Sequence, residues 1–195
     1  GSGEESMTAS LLSLVTSIDV HAPESSMHAR RTGVYAAFLA DRMGFASSRF
    51  ETIKRCGLFH DIGKIAIPDY ILQKPAELSK DEMEIMKRHS EAGYNILKGF
   101  DFFREEAEVA LYHHERFDGK GYPRGISGKD IPTSARIISV ADAFDALRKS
   151  RSYHEALSLE DVVKVIVSGA GSQFDTEVVD IFKTCYSELD ALDPA

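Results

Sequence analysis

Apolar residues recur along this chain at three- and four-residue intervals, the period of helices with one buried face. Leu11, Leu12, Val15 and Ile18 open the pattern. A second helix is expected to start between Pro23 and His28 and to end at Gly44, with Tyr35, Leu39 and Met43 facing inward. Ser48 followed by Glu51 reads as a capping box for a third helix carrying Ile53, Cys56 and Phe59. Ser79 and Glu82 form another box, ahead of Met83, Met86, Gly93 and Leu97. A further helix is expected from Phe102 to Glu115. Glycines 119, 121, 125 and 128, with Pro123, make the stretch from Asp118 to Ile131 a loop. Pro132 suits a helix start, and Ile138, Ala141 and Asp145 carry that helix on to Leu147. The last two helices are expected over Leu159 to Ser168 and Asp175 to Leu189. Strand-like alternation is nearly absent and no repeat is present, so the predicted fold is all-α, a multi-helix bundle.

Composition narrows the class. The 195 residues suit one domain, and 43% hydrophobic with 28% charged residues is the balance of a soluble globular protein. A net charge of -8 argues against a DNA or RNA polymer as partner. A phosphate ester would have to be met locally, by metal ions or by a few placed Lys and Arg. Cys56 and Cys185 make no disulfide framework, which fits a reducing cytosol. No apolar run approaches the ~20 residues of a membrane span and no secretory signal is visible, so a cytoplasmic domain without membrane contact is expected. Gly1-Ser2-Gly3 reads as a vector-derived remnant. Residues 1–6 are therefore expected to be disordered and 7–195 to form the domain, cut from a longer protein.

The chemistry gathers on histidines. His28, His60, His89 and His113 fall on apolar faces, and His114 follows directly. Any one of them would pass as a core histidine with a satisfied hydrogen bond. Five buried imidazoles without a shared role would leave many polar groups to satisfy, and a metal centre removes that difficulty. Adjacent residues on a straight helix diverge by about 100°, so His60 and Asp61 can share a centre only near a helix end, which Gly63 and Pro68 supply. Asp142, four residues after Ile138, should face inward and needs a partner or a metal. Glu24 shares a face with His28 if the helix reaches back that far, and is otherwise a solvated residue at a helix start. Nitrogen and oxygen ligands without cysteine favour iron, manganese or another octahedral ion over structural zinc. Eight candidate ligands are too many for one ion. They suggest two, or three if Glu24 takes part, with Asp61 the candidate bridging carboxylate. Lys64, one turn beyond His60, is placed to clamp a phosphate oxygen. Arg151 suits a phosphate, and a surface salt bridge equally.

These residues also carry a resemblance. His60-Asp61-Ile62-Gly63-Lys64 resembles the HD motif of the HD phosphohydrolase superfamily. The run from His113 to Pro123 is similar to the signature of its HD-GYP branch, with Lys74-Pro75, Ala135-Arg136-Ile137, Asp142, Asp145, Arg151 and Tyr153 following the same pattern. The likeness spans about residues 20 to 183. It implies an HD-type helical bundle with a glycine-rich active-site loop, acting as a bacterial hydrolase of cyclic di-GMP that yields linear pGpG or GMP. It implies two or three divalent ions, iron or manganese first, with magnesium, nickel or zinc as alternatives. Their ligands would be His60, Asp61, His89, His113, His114 and Asp142, with Glu24 and His28 completing a third site. Asp61 and Lys64 would be catalytic, and Lys64, Gly121, Tyr122, Pro123, Asp145 and Arg151 would meet the substrate. Fused receiver or sensor domains and contacts with diguanylate cyclase domains are implied as well. Ser152 in place of a usual proline, His154 in place of Lys or Arg, and Phe117 in place of Trp depart from the pattern. The altered 151–154 stretch keeps two other readings open. One is hydrolysis of a different cyclic dinucleotide or nucleotide phosphoester; the other is a low-turnover sensor module.

Overall fold

A computed structural model describes residues 1–149 and 155–194. Among these residues the chain forms ten α-helices and no strand, apart from a lone bridge between Ala170 and Phe174. In order they are α1 (Ser2–Ser17), α2 (Ser25–Arg42), α3 (Phe50–Phe59), α4 (Asp69–Leu72), α5 (Lys80–Met86), α6 (His89–Leu97), α7 (Arg104–Tyr112), α8 (Thr133–Arg148), α9 (Leu159–Ser168) and α10 (Thr176–Leu192). Among the described residues no helix is long and apolar enough to cross a membrane.

Two apolar clusters hold the bundle. The larger joins α2, α3, α8, α9 and α10 through Tyr35, Ile53, Phe144, Val162, Val178 and Phe182. The smaller packs Leu11 and Val15 of α1 against Phe59, Leu97, Phe103 and Ala107. Helices α2, α3 and α7 contribute to both clusters. Helix α8 has its whole middle buried, with Ile137, Ile138, Val140, Ala141 and Phe144 all inaccessible. Helices α2 and α3 cross at a glycine pair. A Cβ on Gly57 would lie 2.3 Å from the Gly33 Cα, so only glycine permits this approach.

The boundaries of α9 agree with the apolar spacing, because Ser158 accepts from the Asp161 amide and caps a strongly one-sided helix. The Ser79–Glu82 capping box is present, and Cys56 and Cys185 are free and buried. Four expectations are corrected. Residues 2–6 are helical, as the first turns of α1. Ser48 and Glu51 form no capping box, because the chain first makes a 3-10 turn over Ser47–Arg49 and α3 starts one residue later. The single helix expected after Ser79 breaks at Lys87–Arg88 into α5 and α6, leaving Met83 exposed. The loop after Asp118 contains a 3-10 turn at Gly128–Asp130.

Candidate metal centre

Helix ends deliver most of the site. His60 is the C-cap of α3, and at Asp61 the backbone leaves helical geometry for a 3-10 turn over Ile62–Ala66. That bend lets neighbours in sequence converge: His60 Nε2 lies 3.2 Å from Asp61 Oδ2. His113 caps α7 in the same way, with the His114 ring 4.1 Å from its own. The break before α6 places His89 at that helix's first residue. Helix α2 contributes His28 and α8 contributes Asp142, whose Oδ1 lies 2.6 Å from His28 Nε2 and 3.5 Å from His60 Nε2.

The ligand atoms form two groups, Asp61 with His89, His113 and His114, and His28 with His60 and Asp142, each within 4.8 Å. Asp61 faces both. Its Oδ1 is 3.3 Å from the Nε2 atoms of His89 and His113, while its Oδ2 turns to His60.

The tautomers are legible from the other ring nitrogens. His60 Nδ1 donates to the Gly57 carbonyl. His89 Nδ1 donates to Met86 O at 2.6 Å, and His113 Nδ1 to Val109 O and Ala110 O at 3.1 and 3.0 Å. A carbonyl only accepts, so each of these Nδ1 atoms carries the hydrogen and each Nε2 of a neutral ring is a lone pair. All three Nε2 atoms are buried, and none has a hydrogen-bond partner among the described residues. They point at carboxylates, which are also acceptors. Lone pairs facing lone pairs repel, and only a proton or a metal cation between them reverses the sign.

One proton does not suffice. Burial disfavours charge on His60, but Asp61 and Asp142 outweigh it and raise the ring to about 10. Burial lowers His113 against the pull of Asp61, and burial with His113 and His89 holds His114 well below the normal imidazole range. Those two rings are therefore neutral at pH 7, as ligands must be. Burial opposes ionisation of Asp61 and Asp142, yet His60 and Lys64 for the first, and His28 and His60 for the second, keep both carboxyls well below the usual range. The donor set fits divalent cations.

The other predicted residues take varied places around this centre. Lys64 Nζ lies 3.3 Å from Asp61 Oδ2, at its edge. Tyr122 stacks on His114 with ring centroids 4.9 Å apart, and Lys87 Nζ sits 5.2 Å over the Tyr122 ring. Gly121 folds this loop onto the His114 turn, where a Cβ would meet His114 O at 2.4 Å; Pro123 follows Tyr122 through a cis peptide. Glu24 is not brought in. Helix α2 starts only at Ser25, and Glu24 is its exposed N-cap with φ of 70°, outside both groups. Asp145, expected at the substrate, sits as a buried partner of α2. It is 1% exposed, and its oxygens are taken by Arg31 and by His28 Nδ1. Arg151 lies outside the described residues, as do Ser152, Tyr153 and His154. Sequence reasoning missed Arg31, because a cation on an inner helix face reads as an exception. It also missed Ser139, Arg116 and Gln173, which line a cavity of about 140 Å³ beside His114 and Asp142. Gln173 reaches it because its carbonyl accepts from the Phe117 amide at 3.2 Å, a long-range pairing with no sequence signature.

A helical bundle that gathers histidine and aspartate from five helices and the turns that follow them defines a class of metal-centred proteins. The sequence matches the HD domain family over residues 13–178, and the chain belongs to that family. It is 38% identical over 191 residues to the cyclic di-GMP phosphodiesterase response regulator RpfG of Xanthomonas campestris, covering 97% of this chain and 50% of that one. It is 36% identical over 181 residues to the 3'3'-cGAMP-specific phosphodiesterase 2 of Vibrio cholerae, covering 92% of this chain and 35% of the relative. This chain thus spans half or less of these relatives. Among solved structures, a cyclic GMP-AMP specific phosphodiesterase of V. cholerae shares the fold, with a TM-score of 0.68 at 18% identity over 95% of this chain and 50% of that one.

Proposed function

We propose that this domain hydrolyses the phosphodiester bonds of cyclic di-GMP, giving linear pGpG or GMP, at a centre of two divalent ions. The observation that carries this reading is the set of three buried, unpartnered Nε2 atoms aimed at acidic side chains. Asp61, His89, His113 and His114 would hold one ion; His28, His60 and Asp142 would hold the other, with Asp61 reaching toward both. The nitrogen–oxygen donor set supports iron or manganese before magnesium, nickel or zinc. When bound, such ions supply Lewis-acid stabilisation of the phosphate oxygens and lower the pKa of a water. Lys64 steadies Asp61 and presents its ammonium to a phosphate oxygen. Tyr122 holds the His114 ring by stacking, and Lys87 adds a second cation to that wall. Ser139 and Gln173 offer hydrogen bonds to whatever part of the substrate enters the adjoining cavity. Local cations are needed here because the whole chain carries -8. The relative named as a response regulator supports a receiver module fused to such a domain.

A second reading, hydrolysis of 3'3'-cGAMP, is favoured by the relative of that name at 36% identity. Both are tested together. Protein loaded anaerobically with iron or manganese is given cyclic di-GMP, 3'3'-cGAMP and cyclic di-AMP, and products are separated by chromatography. The proposal expects cyclic di-GMP to be cleaved fastest, and Asp61→Ala to reduce turnover by at least about 10²-fold. Preference for 3'3'-cGAMP establishes the second reading. Tight binding with no product from any of the three leaves a sensor module and overturns both.

A further inference from the structure

Four imidazoles in the centre present Nε2 toward acidic partners, and one of them is oriented differently. His60, His89 and His113 fix their tautomer on carbonyls of their own helices or the turn before them. His28 instead faces a carboxylate at each nitrogen, its Nδ1 2.6 Å from Asp145 Oδ2 on α8 and its Nε2 2.6 Å from Asp142 Oδ1, so Asp145 holds the hydrogen on Nδ1 once a cation occupies the Nε2 side. Asp145 is in turn gripped by Arg31, one turn beyond His28 on α2. Arg31 Nε donates to Oδ1 at 2.7 Å and its Nη2 to Oδ2 at 3.1 Å. Arg31 is 9% exposed and Asp145 1%, so the pair is largely shielded from solvent. Neither residue belongs to a ligand group.

We infer that Arg31 and Asp145 form a positioning pair that keeps the hydrogen of His28 on Nδ1, so that occupancy of the His28–His60–Asp142 position depends on two residues touching neither ion nor substrate. The inference rests on the two-ion reading above. The physical reason is donor counting. A carboxylate has acceptors enough for both Arg31 and His28. An asparagine at 145 has one oxygen, which the two guanidinium donors claim. Its NH2 then points at His28 Nδ1, which must become the acceptor and move its hydrogen to Nε2. That ring can no longer ligate. The same tautomer error follows when the aspartate of a catalytic triad is replaced by asparagine. If Arg31 is also replaced by an apolar residue, the asparagine oxygen is released to turn toward His28, and the tautomer is restored.

The test is a manganese titration of the whole chain, reading free Mn²⁺ by electron paramagnetic resonance. Four proteins are compared: wild type, His28→Ala, Asp145→Asn, and Asp145→Asn with Arg31→Met. Wild type is expected to take up two ions. Asp145→Asn should keep one ion at wild-type affinity and bind the second at least about tenfold more weakly, as His28→Ala does. The double variant should recover the second ion to within about threefold of wild type, which a purely structural role for Asp145 would not produce. The retained ion reports that each variant is folded. Loss of both ions together, or of neither, in Asp145→Asn overturns the inference, as does a double variant no better than the single one. Fewer than two ions in wild type overturns the two-ion reading itself, so the two failures are distinguishable.

Discussion

His60 commits its Nδ1 hydrogen to the Gly57 carbonyl, so the nitrogen facing Asp61 and Asp142 either stays a lone pair or takes up a proton. Without metal it takes the proton, which is why the ring rises from 6.5 to about 10 despite its burial. A group whose folded pKa is raised stabilises the folded state fully below its unfolded pKa and loses that contribution as pH climbs through the folded value. The metal-free protein should therefore lose stability between pH 6.5 and about 10, read as a falling urea midpoint. The depressed carboxyls of Asp61 and Asp142 act with opposite sign. Their contribution is complete above pH 3.8 and is lost on further acidification. With ions bound, the cation takes the place of the proton and the alkaline decline should vanish. An alkaline decline of equal size with and without ions contradicts this account of His60. Lys64 supplies a second test at this scale. Lys64→Ala removes a cation 3.3 Å from Asp61 and should lower turnover by about 10²-fold, or about 2.7 kcal/mol, while leaving ion uptake in place.

Helices matter to this site through where they stop. α3 and α7 end at a histidine, and α6 begins at one. The crossing of α2 and α3 sets the distance between His28 and His60, whose ring centroids are 5.7 Å apart. Gly57→Ala would place a methyl 2.3 Å from the Gly33 backbone, and neither helix can retract from the core between them. Overpacking of this kind typically costs about 1–3 kcal/mol. Both a lower urea midpoint and a weakened second ion are expected; normal binding of both ions would show that the crossing does not set the site. Ser79→Ala is the contrast, removing the α5 cap for about 1 kcal/mol of stability with turnover unchanged. Element type was legible where the apolar face is strongly one-sided, as in α9, whose start the structure seals with a Ser158 cap. It failed at Ser48, where a 3-10 turn intervenes, and at Lys87–Arg88, where no Gly or Pro announces the break.

In the whole molecule, an acidic chain concentrates imidazoles, carboxylates and a few cations where five helices meet, an arrangement that suits the anionic ester of the proposed function. Histidine was the most legible part of the candidate site, because a histidine on an apolar face is costly to bury unless something there binds it, and the structure brings five of them together with Asp61 and Asp142. Glu24 lies outside both groups, as the N-cap one residue before the start of α2. The role of Asp145 could not be read from spacing, which says that a side chain faces inward but not that a buried arginine waits there. Gln173 was hidden for a related reason, lying far along the chain from the Phe117 amide that its own carbonyl meets. The most direct test of the centre is an anomalous difference map from crystals of the manganese-loaded protein. The account predicts two peaks, one among Asp61, His89, His113 and His114 and one among His28, His60 and Asp142. A single peak, or density outside these seven residues, would contradict it.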